Sequence, residues 1–408
     1  MLRKNNQRSG SVFPGEINQM QNTTPGQKPK ALLALTADIQ GNPSSAVKYR
    51  YLIREFNKKF RISRIINTQP SGLLKVILGI YTFKLSKDSW REGLNKNLLG
   101  FRLSSYLVNQ QVKNMVKEID FSLQIGCLFD STWPNKRKPN FIYTDYTSAL
   151  SAKKPESGRS PFSSKELERW MLLEKQAYWS ADHLFVRSRI VKASLMGEYD
   201  IPEEKISVVG GGWNFSSAPP KIERTFTNTI NILFIGKRFY RKGGDLLIEA
   251  YNKLKREFPN ATLTIVTKSH IPAEYYDESI RVLAPIWDRT KIHQLFLDAH
   301  LFVLPSRLET WGDVLLEAMA YGLPIIGVDT DAMPEIILEG KTGHLARVGD
   351  SESLYYCLVD LVKDPKKMKI YGDEARKVAH SQYTWEKVVQ QIAAIIALYQ
   401  APSGENNL

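Results

Sequence analysis

The sequence predicts an α/β protein built from two doubly wound, Rossmann-like parallel-sheet domains that face each other across a cleft. Three observations carry this. The chain has 408 residues, room for two or three domains at about 100–200 residues each. Both halves alternate short β-branched runs with helical patterns, which is how parallel sheets covered on both faces read. Between the halves lies SSAPPKIERTFTNT, residues 216–229, whose two prolines and many polar residues read as a linker.

In the first half, ALLALT (31–36) reads as a buried strand. The turn DIQGNP follows, then a helix from about 44 to 59. RISRIIN, FSLQIGC and NFIYTDY read as further strands, 164–180 as a helix, HLFVRS as a strand, and KISVVGG as a short strand running into Gly210, Gly211 and Gly212. The second half restarts the pattern. NILFIG (231–236) is a strand and 244–258 a helix; ATLTIVTKS, RVLAP, LFVLPS and LPIIGVD are strands with helices between. After Pro365 the pattern is helical. The last helix, 385–400, repeats apolar residues at helical spacing (Val388, Val389, Ile392, Ile395, Ile396, Tyr399) and must bury that face. The resulting division is a polar, disordered tail at 1–28, a first domain at 29–215, a linker at 216–229, a second domain at 230–384 and a final helical segment at 385–402. Doubly wound sheets bind ligands beyond the C-terminal ends of their strands, so the cleft is the expected site.

The bulk numbers exclude several classes. An apolar fraction of 43% and a charged fraction of 24% are those of a soluble globular protein. The longest apolar run, 73–83, is broken by Lys75 and too short to span a bilayer. The N-terminal residues lack the apolar core of a secretory signal, so the cytoplasm is the expected location. Cys127 and Cys357 read as free thiols. The six histidines show no ligand spacing, and neither a metal nor another cofactor is expected. The net charge of +14 is uneven. Residues 1–220 hold 33 Lys and Arg against 18 Asp and Glu, while residues 221–408 hold 23 against 24. A basic face attracts nucleic acid, anionic lipid or an anionic substrate. Nothing else resembles a nucleic-acid module, so peripheral contact with an anionic membrane, or an anionic acceptor, is the better expectation. The stretch 73–112, which mixes apolar residues with Lys75, Lys84, Lys87, Arg91, Lys96 and Arg102, is either such a surface or a solvated face.

One string carries more chemistry than the rest: LFVLPSRLETWGDVLLEAMAYGLPIIG, residues 301–327. An apolar strand delivers a polar loop, and a helix starts near Trp311 and Gly312. Glu309 then stands at the mouth of the cleft. Glu317, eight residues on, lies about two turns along on a similar face. The helix N-terminus points free N–H groups at the cleft, a seat for phosphate, and Gly312 permits close backbone approach. A carboxylate suits a sugar's vicinal hydroxyls because it accepts two hydrogen bonds at once. Alone, two glutamates at this spacing read as a loop residue and a surface helix residue. The whole string, however, resembles the signature of glycosyltransferase family 4, the retaining GT-B enzymes that include many polysaccharide and glycolipid synthases. That signature is a Glu, seven residues, a second Glu, then Ala-Met-Ala, Gly and Pro, here Glu309, Glu317, 318–320, Gly322 and Pro324. The resemblance implies that Glu309 contacts the donor sugar and Glu317 the ribose. It also implies that the backbone between them (Thr310, Trp311, Gly312, Asp313, Val314, Leu315) contacts sugar and diphosphate. Trp311 stands where Phe is commoner and Asp313 is more polar than usual; both are expected to tune the sugar preference.

The second string is GKRFYRKGGDLLIEAY, 236–251. Lys237, Arg238, Arg241 and Lys242 offer charge to a diphosphate, and Gly243 and Gly244 a flexible backbone beneath it. In isolation this is a solvated basic loop. It resembles the family's Gly-Arg, short loop, Lys-Gly and Asp-containing helix, with Lys237 in the Arg position, Lys242 as the Lys and Asp245 as the Asp. Whether Lys237 or Arg238 holds the diphosphate stays open. The segment 181–215 resembles the family's stretch before the linker and supports fold more than chemistry. In DAMPEIILEGKTGHLARVGD, 331–350, Pro334 and Glu335 match the family's Gly-Gly-x-Pro-Glu, and Glu335 either faces the donor or caps a helix. In the first domain the likeness thins. The family's glycine-rich loop reaching toward donor phosphate is here DIQGNPSS, with Gly41 alone. Where many members carry a His near the anomeric carbon, this chain has Asp145, which either orients an acceptor hydroxyl or is a turn residue.

The resemblance implies a retaining, metal-independent transfer of a hexose-type sugar from a nucleotide diphosphate donor to a glycan or lipid-linked hydroxyl acceptor. Lys242 stabilises the leaving diphosphate, and the donor's own phosphate takes the acceptor proton. It also implies that the last helix crosses back onto the first domain. Three other readings stay open: a sugar-nucleotide epimerase of GT-B fold, a storage-polymer synthase extending soluble primers, and a catalytically silent nucleotide-sugar-binding protein.

Overall fold

The computed structural model describes residues 28–39, 41, 43–155, 158–225, 229–275 and 278–400; the expected tail lies almost wholly outside them. The first domain is a six-stranded parallel sheet of β1 (Lys30–Leu35), β2 (Arg61–Asn67), β3 (Phe121–Ile125), β4 (Asn140–Thr144), β5 (His183–Val186) and β6 (Ile206–Val208), in the order β2-β1-β3-β4-β5-β6. The central strands are buried on both faces, as parallel sheets require; β2, with Arg61 and Arg64, forms the exposed edge. Helices α1 (Pro43–Lys59), α2 (Gly72–Tyr81), α3 (Lys87–Asn95), α4 (Leu98–Asn114), α5 (Ser148–Ala152), α6 (Ser164–Ser180) and α7 (Arg189–Tyr199) connect the strands. The ambiguous stretch 73–112 is therefore three helices in succession.

The second domain repeats the plan with β7 (Ile230–Ile235), β8 (Ala261–Val266), β9 (Ile280–Leu283), β10 (Leu301–Val303), β11 (Ile325–Val328) and β12 (Gly343–Ala346), ordered β12-β11-β10-β7-β8-β9 and again parallel. Its helices are α8 (Gly244–Glu257), α9 (Arg289–Asp298), α10 (Asp313–Ala320), α11 (Met333–Ile336), α12 (Ser351–Val362), α13 (Pro365–Gln382) and α14 (Trp385–Gln400). The sequence does not announce β12, because GHLA is short and opens on glycine. Chain direction across the sheet reverses between β7 and β10. Such a reversal leaves a crevice at the C-terminal ends of these neighbours. This is a GT-B architecture, and no helix among the described residues is long and apolar enough to cross a membrane.

Two crossings join the domains. At the first, Trp213 N donates to the Tyr383 carbonyl at 3.1 Å and Trp385 Nε1 to Asn214 Oδ1 at 3.0 Å. A Cβ on Gly212 would lie 2.3 Å from Trp385 N, so only glycine lets the strands pass. Phe215 already belongs to the second domain's core. The expected linker is also no free tether, because Arg224 donates to the carbonyls of Phe296, Ala299, Tyr321 and Gly322, satisfying acceptors left at the ends of α9 and α10. The second crossing is α14. Its Trp385, Val388, Val389, Ile392 and Ile396 pack into the first domain's core with Leu33, Phe56, Phe121 and Phe141. The apolar face read from the sequence is buried there, apart from Ile395, which is half-buried, and Tyr399 at the rim.

Ile392→Ala removes a fully buried side chain from that core and is expected to cost about 2–5 kcal/mol in urea unfolding. Ile395→Ala, on the half-buried edge of the same helix, is expected to cost under half as much; equal costs would show that this face does not clamp the first domain.

Candidate functional site

The site begins with a backbone contact. The loop after β7 runs from Gly236 to Gly243, and the loop after β10 from Leu304 to Gly312. Gly243, at φ 72°, would place a Cβ only 2.0 Å from the Pro305 carbonyl oxygen. Arg307 N donates to the Arg241 carbonyl at 3.0 Å, and the Arg307 guanidinium forms two 2.8 Å bonds with Asp245. The loops are thus zipped together, and Lys242 is set against Glu309. Lys242 Nζ donates to Glu309 Oε2, and Ser306 Oγ stands 3.4 Å from the same oxygen. Glu309 is buried and Lys242 is mostly covered.

Cations crowd this spot. Burial pulls the Lys242 pKa down against the pull of Glu309, and Arg241 adds to the lowering. Burial likewise brings Arg241 down to about 10, helped by the nearby charges of Arg159 and Arg238. Like charges packed in a poorly solvated place mark a seat for an anion. The loop's other cations have partners of their own. Lys237 lies over the Trp287 ring, 4.5 Å from its centroid, and is lowered by burial and by Lys268. Arg238 stands 3.7 Å from Glu92 of α3 in the first domain.

Helix α10 starts at Gly312, whose φ of 96° only glycine adopts freely; a Cβ there would come within 2.7 Å of Leu315 Cδ1. Its first amides, at Asp313 and Val314, have no carbonyl four residues back in the helix. Leu315 is buried, while Thr310 and Val314 are half-buried. Glu317 sits one face inward, walled by Asn214 and by Arg289 at 3.7 Å. Burial raises its pKa to about 7, against the lowering effect of Arg289. The Trp311 indole turns toward the glycine run that precedes the hinge. It packs against Gly210 and Gly211 and edge-on to Tyr383, with centroids 6.0 Å apart. Its bulk thus fills space at the hinge.

Residues 219–378 match the family model of the glycosyl transferases group 1. The match covers most of the second domain. Among curated relatives of this chain, N-acetyl-alpha-D-glucosaminyl L-malate synthase of Bacillus anthracis is 38% identical over 104 residues, 26% of this chain and 27% of that protein. D-inositol 3-phosphate glycosyltransferase of Corynebacterium glutamicum is 25% identical over 337 residues, 74% of this chain and 78% of that one. In fold, sucrose-phosphate synthase from Thermosynechococcus elongatus superposes with a TM-score of 0.65 at 16% identity, over 92% of this chain and 100% of that one.

On the first-domain wall, Asp145 follows β4 and pairs with Lys48 at 2.9 Å. Burial alone would raise its pKa, but Lys48, Arg187 and Arg159 together hold it well below the usual carboxylate range. Gly41 is exposed, in a turn closed by its own N–H on Asp38 Oδ1 at 2.7 Å. Asp313 receives a 2.7 Å bond from Arg187, a fully buried guanidinium of the first domain that lies over the Tyr143 and Trp385 rings. Glu335 caps a helix, but one of the other domain: its carboxylate accepts from Arg189 N at 2.8 Å and Ile190 N at 3.2 Å, at the start of α7. Sequence reasoning missed the partners, Lys48, Arg187 and Arg289, since nothing local marks them. It also missed Asp331, whose signal was available. Asp331 stands in place of the first glycine of Gly-Gly-x-Pro-Glu, and it forms with Asp329 an Asp-x-Asp spacing. Its oxygens are taken by Tyr146, Lys154 and Glu309 N. Among the described residues no group of three or more His, Cys, Asp or Glu is placed to hold a metal ion.

Glu317 yields a pH test. Its folded pKa of about 7 lies above the ordinary value of about 4.3. The native state therefore favours the protonated form, and the stability this group contributes is complete below about pH 4 and is lost as pH rises through 7. Glu317→Gln mimics the protonated form. Relative to wild type it is expected to gain roughly 1–3 kcal/mol between pH 5 and pH 8 in denaturant unfolding; a pH-independent difference would contradict the burial argument.

Proposed function

We propose that the protein transfers a hexose-type sugar from a nucleoside diphosphate donor to a hydroxyl acceptor, with retention at the anomeric carbon and without a metal ion. The observation that carries this reading is the convergence of Lys242 and Arg241 on Glu309, beside the glycine-started N-terminus of α10. On this reading the diphosphate lies on Lys242, Arg241 and the first amides of α10, which together stabilise its leaving charge. Lys242 neutralises Glu309 until the donor arrives. When the diphosphate takes the ammonium, the Glu309 carboxylate is released to accept from the sugar hydroxyls. Glu317 accepts from the ribose. The bond from anomeric carbon to phosphate oxygen breaks, the acceptor oxygen bonds to the same face, and the acceptor proton passes to the departing phosphate oxygen. Asp145 suits an orienting role better than that of a base, because a carboxylate with so depressed a pKa accepts a proton poorly at neutral pH.

Glu309→Ala is expected to lower transfer at least about 100-fold while largely sparing nucleotide binding; Glu317→Ala and Lys242→Ala weaken binding itself. Wild-type turnover in Glu309→Ala sinks the assignment. A thermal-shift panel of nucleotides and nucleotide sugars identifies the base and sugar, and turnover of donor without any acceptor would favour an epimerase.

The acceptor side follows from the first domain. Helix α2 turns most of its apolar residues to solvent: Leu73 and Ile80 are each 75% exposed, Val76, Ile77 and Tyr81 are exposed beside them, and Leu85 just beyond is 98% exposed. Lys75, Lys84, Arg91 and Arg102 surround them, also exposed. An open groove of about 620 Å³ adjoins this face, lined by Tyr81, Leu98, Leu99, Leu172 and Leu173, with Arg102 and Arg169 at its rim. An apolar face ringed by cations matches a bilayer surface bearing anionic lipid, and we infer that a lipid-linked or glycan acceptor is met there. The protein is expected to float with phosphatidylcholine vesicles only when anionic phosphatidylglycerol is included, less so at high salt. Ile80→Asp with Leu85→Asp abolishes flotation. No vesicle binding at low salt refutes this part of the reading and leaves the donor chemistry untouched.

A further inference from the structure

Asp331 is one of two non-glycine residues with positive φ among the described residues, at 52°. The other, Asp200, merely ends α7. A left-handed conformation suits the glycine that the resembling segment has at this place, and an aspartate adopts it at a cost. What the side chain gains is visible. Its Oδ1 accepts from Tyr146 Oη at 2.9 Å and from Lys154 Nζ at 2.8 Å, and its Oδ2 accepts from Glu309 N at 2.9 Å. Tyr146 and Lys154 flank α5 in the first domain, whereas Glu309 belongs to the second. Lys154 also reaches Thr330 Oγ1 at 2.6 Å and the Arg307 carbonyl at 3.3 Å. The Asp331 side chain is 2% exposed, so a buried charge stands between two cross-domain donors and one backbone amide.

We propose that Asp331 is a positioning residue that makes the placement of Glu309 depend on contact between the domains. With the domains together, Lys154 and Tyr146 neutralise and orient the carboxylate, and the oxygen left over fixes the amide of Glu309. With the domains apart, both donors leave with the first domain. The carboxylate then turns to water, and the loop bearing Glu309 loses its anchor. The sugar-holding group is thus assembled only when the acceptor wall is in place, and a donor held in an open cleft is not exposed to water at a working site. The kinetic part rests on the proposed sugar transfer; the coupling itself does not.

The test is a double-mutant cycle between Lys154, which lies across the domain boundary, and Asp331, using Lys154→Met and Asp331→Gly. Each single change is expected to lower kcat about 10- to 100-fold, as small misplacement of a positioned group does, with the nucleotide Kd altered less than about threefold. The double variant is expected to be no slower than Asp331→Gly alone, because the effects share one path. Multiplying effects, or an unchanged kcat in Asp331→Gly, overturn the proposal. Should Asp331→Gly not fold, Tyr146→Phe serves in its place against Lys154→Met, with the same sub-multiplicative outcome required. Hydrogen exchange gives a readout that needs no reaction. Lys154→Met is expected to speed exchange of the Glu309 amide at least about tenfold, while the amides of β10, on the same domain, keep their wild-type rates. An unchanged Glu309 rate refutes the coupling. Coupling in exchange without sugar transfer from any donor would refute the proposed function alone.

Discussion

The approach of Gly243 to the Pro305 carbonyl is the constraint on which the site depends. The strand order of the second sheet turns back between the neighbouring parallel strands β7 and β10, and the loops that leave them meet at the candidate site. The cleft becomes a site only because one loop carries glycine where any Cβ would collide with the other's backbone. That contact sets Lys242 against Glu309 and lets Arg307 bridge back to Asp245. The glycine is therefore a condition of the chemistry although it has no chemical group of its own.

A second level of order comes from charges that cross between domains. Asp313 receives Arg187, Glu335 caps α7, Arg238 approaches Glu92, and Asp331 binds Tyr146 and Lys154. Each second-domain partner lies in or next to a segment expected to meet the donor. The contact surface between the domains and the rim of the candidate site are thus built from the same few residues, so relative domain position and site geometry are not independent variables. Such pairs hold a relative orientation better than apolar contacts would, because each acceptor has a defined direction and distance.

Much of this was legible beforehand, for reasons that differ by residue. Strands such as 31–35 and 231–235 are uninterrupted apolar runs, and helices 164–180 and 385–400 repeat at helical spacing, so local pattern alone reveals them. Glu309, Glu317 and Lys242 could be marked as candidates because each sits in a strand-loop-helix unit with a readable local pattern. What stayed hidden lies in pairings between distant segments. Lys48 with Asp145, Arg187 with Asp313 and Arg289 with Glu317 join residues separated by tens to over a hundred positions, and a lone arginine in sequence shows no partner. The surroundings of Trp311 were hidden for the same reason: its neighbours in the motif are Thr310 and Gly312, but its neighbours in space are Gly210 and Gly211.

The helix that crosses back has a consequence for how the chain is made. The first domain's core is closed by Trp385, Val388, Val389, Ile392 and Ile396, which follow the entire second domain in the chain. At ~5–20 residues per second, ribosomal synthesis leaves on the order of ten to forty seconds between the last strand of the first domain and that helix. During that interval the faces of Leu33, Phe56 and Phe121 that the helix will cover have no partner within the nascent chain. The part synthesised first is completed last, and its exposed apolar surface in the meantime is a natural client for a chaperone.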